Sequence, residues 1–241
     1  VIAFGLNYVL LFFLNFNTLR KKFYSEFNIS VFRIRNFEEI NVLWKFSLPA
    51  ILAGLMVGPT VWYCNYLLVN QSNGYFQMAN FDIASQWRNT ILFIPSALAQ
   101  VALPLLASNI NNKSEYRDVF NKNLKANLYT GGGLTIFFTL ISPLIIMFYG
   151  KEYHDALLPL IIMFITAGFI TVNNVIGQAI ASQGKMWLGF FVNLLWGIVL
   201  IFFSYLFVVQ CKLGAIGLCL AYLISYIVHT VIQFFYIRKF L

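Results

Sequence analysis

Arg88 stands inside an apolar run, Phe81–Gln100 (FDIASQWRNTILFIPSALAQ), that also carries Asp82, Gln86, Asn89, Ser96 and Gln100. An arginine fork can hold two oxygens of a phosphate at once, which an ammonium cannot. Three readings are open for this cation: a substrate phosphate, a structural ion pair, or a side chain that snorkels to the interface. Asp82 is six residues away, a spacing that does not pair side chains along one helix, so it reads as an interfacial, solvated carboxylate.

At 100° per residue, Asp82, Gln86, Asn89, Ser96 and Gln100 fall within about 80° of one another, and Arg88 lies to one side. Such a stripe, about five turns long, faces other helices or water rather than lipid. It serves either as interhelical hydrogen bonding, at ~0.6 kcal/mol per contact, or as the wall of a hydrated cavity. Thr171, Asn174, Gln178 and Ser182 share a face of Thr166–Gln183 and form a weaker second stripe, for which packing and cavity readings are equal. The candidate substrate-binding residues are therefore Arg88, Gln86, Asn89, Ser96, Gln100, Asn174 and Gln178.

Other chemistry is hard to place. His229 is solitary in a span and reads as a packing residue; no Asn or Asp partner for an acyl-transfer role can be picked out. His154 reads as solvated. Cys64, Cys211 and Cys219 have neither metal-ligand nor redox spacing. No glycine-rich phosphate loop and no carboxylate pair at catalytic spacing occur. The expectation is a non-enzyme with no metal site and no cofactor.

These residues must be carried by membrane helices. Of 241 residues, 60% are hydrophobic and 10% charged, against about 25% charged in a soluble domain. Covering 26 Phe, 13 Tyr and 5 Trp in one globular core is not feasible. About 20 apolar residues cross ~30 Å of hydrocarbon as a helix. Seven stretches qualify, at about 1–19, 46–69, 76–106, 128–149, 156–182, 187–209 and 214–236. The expected fold is an all-α polytopic bundle of about seven spans, with short links at 70–74, 150–155, 183–186 and 210–213. Pro49 and Pro59 bracket the second span, Pro95 and Pro104 interrupt the third and Pro143 the fourth, and Pro159 stands at the start of the fifth, where kinks are expected.

The net charge of +8 sorts by side rather than forming a nucleic-acid patch. Arg20, Lys21, Lys22, Arg33, Arg35 and Lys45 share one side with Lys113, Arg117, Lys122, Lys125, Lys185, Arg238 and Lys239. Only Lys151 and Lys212 lie opposite. The positive-inside rule puts the basic side and the C-terminus in the cytoplasm. The loop Arg20–Lys45 reads as an amphipathic segment on the anionic inner leaflet. Because the sequence opens at Val1 within an apolar run, a longer protein is expected.

The run Trp44–Asn109 resembles the seventh and eighth helices of Wzx-type polysaccharide flippases, which translocate O-antigen and capsule units within the multidrug/oligosaccharidyl-lipid/polysaccharide exporter superfamily. Leu48-Pro49, Gly74-Tyr75-Phe76, Ala84, Gln86-Trp87, Pro95 and Leu103-Pro104-Leu105-Leu106 carry the resemblance, with the later Ala181-Ser182-Gln183-Gly184-Lys185 turn. It implies the last seven helices of a twelve-helix, two-lobed transporter. Residues 1–19 would end the first lobe, 20–45 form the cytoplasmic linker and 46–241 form a six-helix second lobe. It also implies an inner-membrane protein that flips undecaprenyl-diphosphate-linked repeat units, with membrane lipids and a coupling ion or proton as partners. By chemical analogy, Arg88 would meet the diphosphate. The competing readings are a multidrug or lipid II exporter of the same superfamily, and a membrane glycan polymerase or acyltransferase.

Overall fold

The computed structural model describes residues 2–27 and 40–240 and contains helices with no strand among them. The chain divides into two compact units, Val1–Trp44 and Lys45–Leu241. In the first unit, helix α1 covers Ile2–Phe27 and takes in the span expected at 1–19. Its Arg20, Lys21 and Lys22 are exposed on helical turns. Residues 28–39, most of the expected amphipathic loop, lie outside the described residues.

Six further helices follow: α2 (Ile40–Val69), α3 (Gly74–Ser108), α4 (Lys113–Tyr149), α5 (Lys151–Ser182), α6 (Met186–Gln210) and α7 (Gly214–Phe240). Each is long and apolar enough to cross a bilayer. Helix α2 opens with a π turn at Leu43–Ser47, just ahead of Pro49. A proline ring displaces the carbonyl four residues back, and a widened turn accommodates it. The link 150–155 tightens into a 3-10 turn, Lys151–Ala156, which forms the start of α5.

Helix α5 is the hub. Leu160, Met163, Phe164, Ala167, Val175, Ile176 and Ala179 are fully or nearly fully buried along it, against α3, α4 and α7. One apolar cluster gathers Phe81, Ile91, Met163, Phe164, Leu200, Leu218 and Tyr222. A second gathers Ala99, Leu106, Tyr116, Phe120, Ile176 and Ala179. Polar residues survive in this interior by bonding their own helix: Thr166 and Thr171 hydroxyls donate to the carbonyls of Ile162 and Ala167 at 2.8 and 2.9 Å. Helices α4 and α5 pack tightly at Gly131, where a Cβ would lie 2.7 Å from Thr171.

One expectation needs correction. The helix that carries the fourth apolar stretch starts well ahead of residue 128: α4 is helical from Lys113, so the basic third loop is mostly helix. Asn112 caps it by accepting from the Glu115 amide, and Tyr116 and Phe120, one turn apart, bury themselves in the second cluster. Charges at Lys113, Arg117, Lys122 and Lys125 thus ride on a helix whose other face is apolar. Pro59, Pro95, Pro104 and Pro143 all lie within continuous helices. At Pro143 the carbonyl of Thr139 loses its amide partner, and the Ser142 hydroxyl donates to it at 2.8 Å.

Candidate functional site

Helix α3 carries most of the site, and its start is fixed by Gly74. A Cβ there would sit 2.0 Å from the Val69 carbonyl oxygen, so only glycine fits this turn. Four turns on, Arg88 is half-buried and turned toward α5 and α7. Its Nη2 donates to Ser85 Oγ and Asn89 Oδ1, both at 3.2 Å, and its Nη1 reaches Met163 Sδ at 3.8 Å. The guanidinium also lies over the Tyr222 ring, 5.3 Å from its centroid.

Each of these contacts is to a neutral group. Lys122 pairs with Asp118 on the exposed face of α4, and among the described residues no carboxylate lies within ion-pair distance of Arg88. The ion-pair reading of Arg88 is therefore not met. Asp82 is exposed, as expected for an interfacial acid. An arginine held by weak neutral acceptors keeps its charge and can exchange those contacts for an anion's oxygens.

The remaining predicted residues divide into two groups. Gln86, Asn89 and Gln100 are exposed along one face of α3, together with Asp82. Ser96 and Asn174 are brought together: the Asn174 amide donates to Ser96 Oγ at 3.1 Å, linking α3 to α5. This bond falls in the interval between the two apolar clusters, after Ile91 and Ala167 and before Ala99 and Val175. Gln178, one turn beyond Asn174, is half-buried.

The second stripe does not form a continuous wall. Thr171 is buried and bonded within α5. Ser182 belongs to a knot at the end of α5, where the Tyr116 hydroxyl meets the Ala179 carbonyl at 3.1 Å and Ser182 Oγ at 3.0 Å, while Gln183 Nε2 donates to it at 3.1 Å. Of that stripe, Asn174 is the residue bonded to α3.

Several contacts were not foreseeable in sequence. Met163 and Tyr222, which hold Arg88, come from α5 and α7. His229 has an amide partner after all, with its Nε2 lying 3.2 Å from Asn193 Oδ1 on α6. Gln77 Oε1 accepts from the Ala215 amide at 2.8 Å and so satisfies the start of α7 from α3. Trp87, in the quoted Gln86-Trp87 pair, is structural: its indole donates to the Tyr149 hydroxyl at 3.1 Å and packs on Phe138.

This arrangement of helices matches just under half of a two-lobed membrane transporter fold. Over 81% of its length, the chain superposes on 44% of an outward-facing multidrug resistance MATE family transporter of the MOP superfamily, with a TM-score of 0.74 at 15% identity. A MOP superfamily transporter from Pyrococcus furiosus gives a TM-score of 0.72 at 15% identity, with 81% of this chain and 44% of that chain covered. A MATE structure in the bent conformation gives 0.76 at 15% identity, with 90% and 47% covered.

Sequence likeness narrows the class. The chain belongs to the polysaccharide biosynthesis protein family, whose model matches residues 16–157. It is 29% identical over 194 residues to the EPS I polysaccharide export inner membrane protein EpsE of Ralstonia solanacearum, which covers 78% of this chain and 44% of that protein. The EpsE protein of Ralstonia nicotianae is 28% identical over 174 residues, covering 70% and 39%. The chain spans less than half the length of these relatives.

Proposed function

We propose that this chain supplies the second lobe of an inner-membrane flippase that moves a polyprenyl-diphosphate-linked oligosaccharide, of the undecaprenyl type, from the cytoplasmic to the outer leaflet. The observation that carries the reading is Arg88: a half-buried cation with no carboxylate partner, flanking a polar helix face of Gln86, Asn89 and Gln100. Arg88 would meet the diphosphate, the exposed amides would meet sugar hydroxyls, and apolar side chains such as Phe93 and Ile94 would meet the lipid tail. A cation exporter would need a carboxylate on this face, and Asp82 is the one acid along it.

Residues 46–241 form the lobe in this reading, 20–45 the linker and 1–19 the final helix of the other lobe, with the C-terminus cytoplasmic by the distribution of Lys and Arg. The work is transport rather than catalysis. Because the sequence has no nucleotide loop, an ion or proton gradient would drive the cycle. The test is the sidedness of lipid-linked glycans in cells lacking the full-length protein. Completed units trapped on the cytoplasmic leaflet support the reading, and normal delivery to the outer leaflet refutes it.

A further inference from the structure

The end of the bundle opposite the basic links holds a cavity of about 850 Å³, and neither Arg88 nor Gln86, Asn89 or Gln100 lines it. Sites for small molecules usually enclose ~300–1,000 Å³. Three links close around the cavity. Gln71, Ser72 and Asn73 come from the link between α2 and α3, Asp155 from the first turns of α5, and Lys212 from the link between α6 and α7. Within the spans the lining turns apolar. Leu157 and Ile161 stand one turn apart on α5, Val208 ends α6 and Ile216 opens α7. Polar groups at the span ends and hydrocarbon just inside them follow the order of a lipid headgroup over its acyl chains.

Two charged side chains line the cavity, Asp155 and Lys212, and they are not within ion-pair distance of each other. Two glutamines in the lining add one acceptor and one donor. Gln71 Nε2 donates to the Leu67 carbonyl at 3.2 Å, so Oε1 is the end left to accept. Gln77 Oε1 accepts from the Ala215 amide at 2.8 Å, so its NH2 is the end left to donate. The backbone is strained at the same place. Asn73 at φ 59° and Lys212 at φ 55° are the non-glycine residues with positive φ among the described residues, and both line the cavity. A left-handed lysine is uncommon, and such outliers gather at ligand sites.

We propose that this cavity holds a phospholipid with a zwitterionic phosphoethanolamine headgroup, taken from the outer leaflet. Lys212 and the Gln77 NH2 donate to phosphate oxygens, while the Asp155 carboxylate and Gln71 Oε1 accept from the ammonium. The leucine and isoleucine wall covers the first methylenes of the chains. An anionic headgroup would meet the Asp155 carboxylate as well as Lys212, and a neutral sugar would leave both charges unanswered. A quaternary ammonium takes an aromatic cage, and no Phe, Tyr or Trp lines this cavity, so an ammonium that can donate fits better than a choline. The leaflet follows from the distribution of Lys and Arg. The headgroup chemistry does not depend on it, and neither depends on what the transporter carries.

The test is native mass spectrometry of delipidated full-length protein given equal amounts of phosphatidylethanolamine, phosphatidylglycerol and phosphatidylcholine with matched chains. The expected result is one retained phosphatidylethanolamine, favoured about fivefold over either competitor, the ratio set by one partly exposed charge pair. Asp155→Asn should erase the preference, and Asp155→Lys should turn it toward phosphatidylglycerol. Lys212→Asn should lower retention about fivefold while holding or raising the melting midpoint, because asparagine adopts positive φ more readily than lysine. A link strained for purely structural reasons would move the midpoint alone. Equal retention of the three lipids, a preference unchanged in Asp155→Asn, retention unchanged in Lys212→Asn, or displacement of the lipid by a disaccharide would each overturn the proposal. Cys211, next to Lys212, is exposed while Cys64 and Cys219 are buried. An impermeant maleimide should label it in intact spheroplasts, judged against Cys211→Ser. Labelling only after lysis would overturn the leaflet assignment, and none of these readouts requires glycan transport.

Discussion

Replacing Arg88 should separate function from stability. In the free protein its side chain makes two hydrogen bonds of 3.2 Å to neutral oxygens, a long sulfur contact and a ring contact. Neutral hydrogen bonds contribute about 0.5–1.5 kcal/mol each, and burying the cation costs at least ~2.5 kcal/mol on the gentlest membrane scale. These terms nearly cancel, so Arg88→Gln should change stability by less than about 1 kcal/mol. No carboxylate is stranded by the change, unlike the break-up of a buried pair, which costs about 3–5 kcal/mol. Against a diphosphate the same side chain would donate two charge-assisted bonds of about 1.5–3 kcal/mol each. Losing them forfeits at least ~3 kcal/mol, roughly a 150-fold drop in translocation. Arg88→Lys keeps the charge without the fork and should lose roughly tenfold. The assays are glycan export by the full-length variant and the melting midpoint of the purified protein. Export at the wild-type rate with Arg88→Gln, or a melting midpoint that collapses with it, would refute the reasoning.

Four further substitutions test the packing that positions the site. Gly131→Ala forces a Cβ to 2.7 Å from Thr171 and should destabilise by about 1–3 kcal/mol, while Gly132→Ala, which meets nothing within 4 Å, should leave the melting midpoint unchanged or slightly raised. Gly214→Ala puts a side chain at φ +56° and 2.4 Å from Gln77 Oε1, so it should lower the midpoint and speed amide exchange at Ala215; unchanged exchange would show that Gln77 does not cap α7. Tyr116→Phe removes the hydroxyl that joins Ala179, Ser182 and Gln183, and should speed exchange across the 183–185 turn without altering α3, as read by amide protection.

The spans were legible because twenty-residue apolar runs have few alternative fates, and the exposed face of α3 was legible because its polar residues repeat every three or four positions. The start of α4 was misplaced because charge was taken as a loop signal. The Tyr116–Phe120 pair, four residues apart among polar neighbours, was the helical signal available in that segment. The surroundings of Arg88 were hidden for a different reason. Met163 and Tyr222 reach it through the packing of α3 with α5 and α7, and nothing in their local sequence marks that meeting. The second stripe failed because helical periodicity shows which residues share a face, and cannot show that Thr171 and Ser182 already have partners.

The way the lobe treats its polar groups argues for where function lies. A hydroxyl can hide in a membrane helix by donating to a carbonyl three or four residues back, and Thr166, Thr171, Ser225 and Thr230 all do so. A carboxamide cannot satisfy both its ends that way, so each Asn or Gln in a span needs an outside partner or leaves an atom unpaired. Those on α3 that face outward, Gln86, Asn89 and Gln100, avoid the cost only if water, sugar or another polar surface meets them. The buried amides Asn80, Asn173 and Gln233 keep atoms with no partner inside the bundle and bear that cost. The helical hydroxyls that bond back along their own helix are therefore compatible with packing alone, while the outward amides of α3 mark a face where the lobe must meet something other than itself.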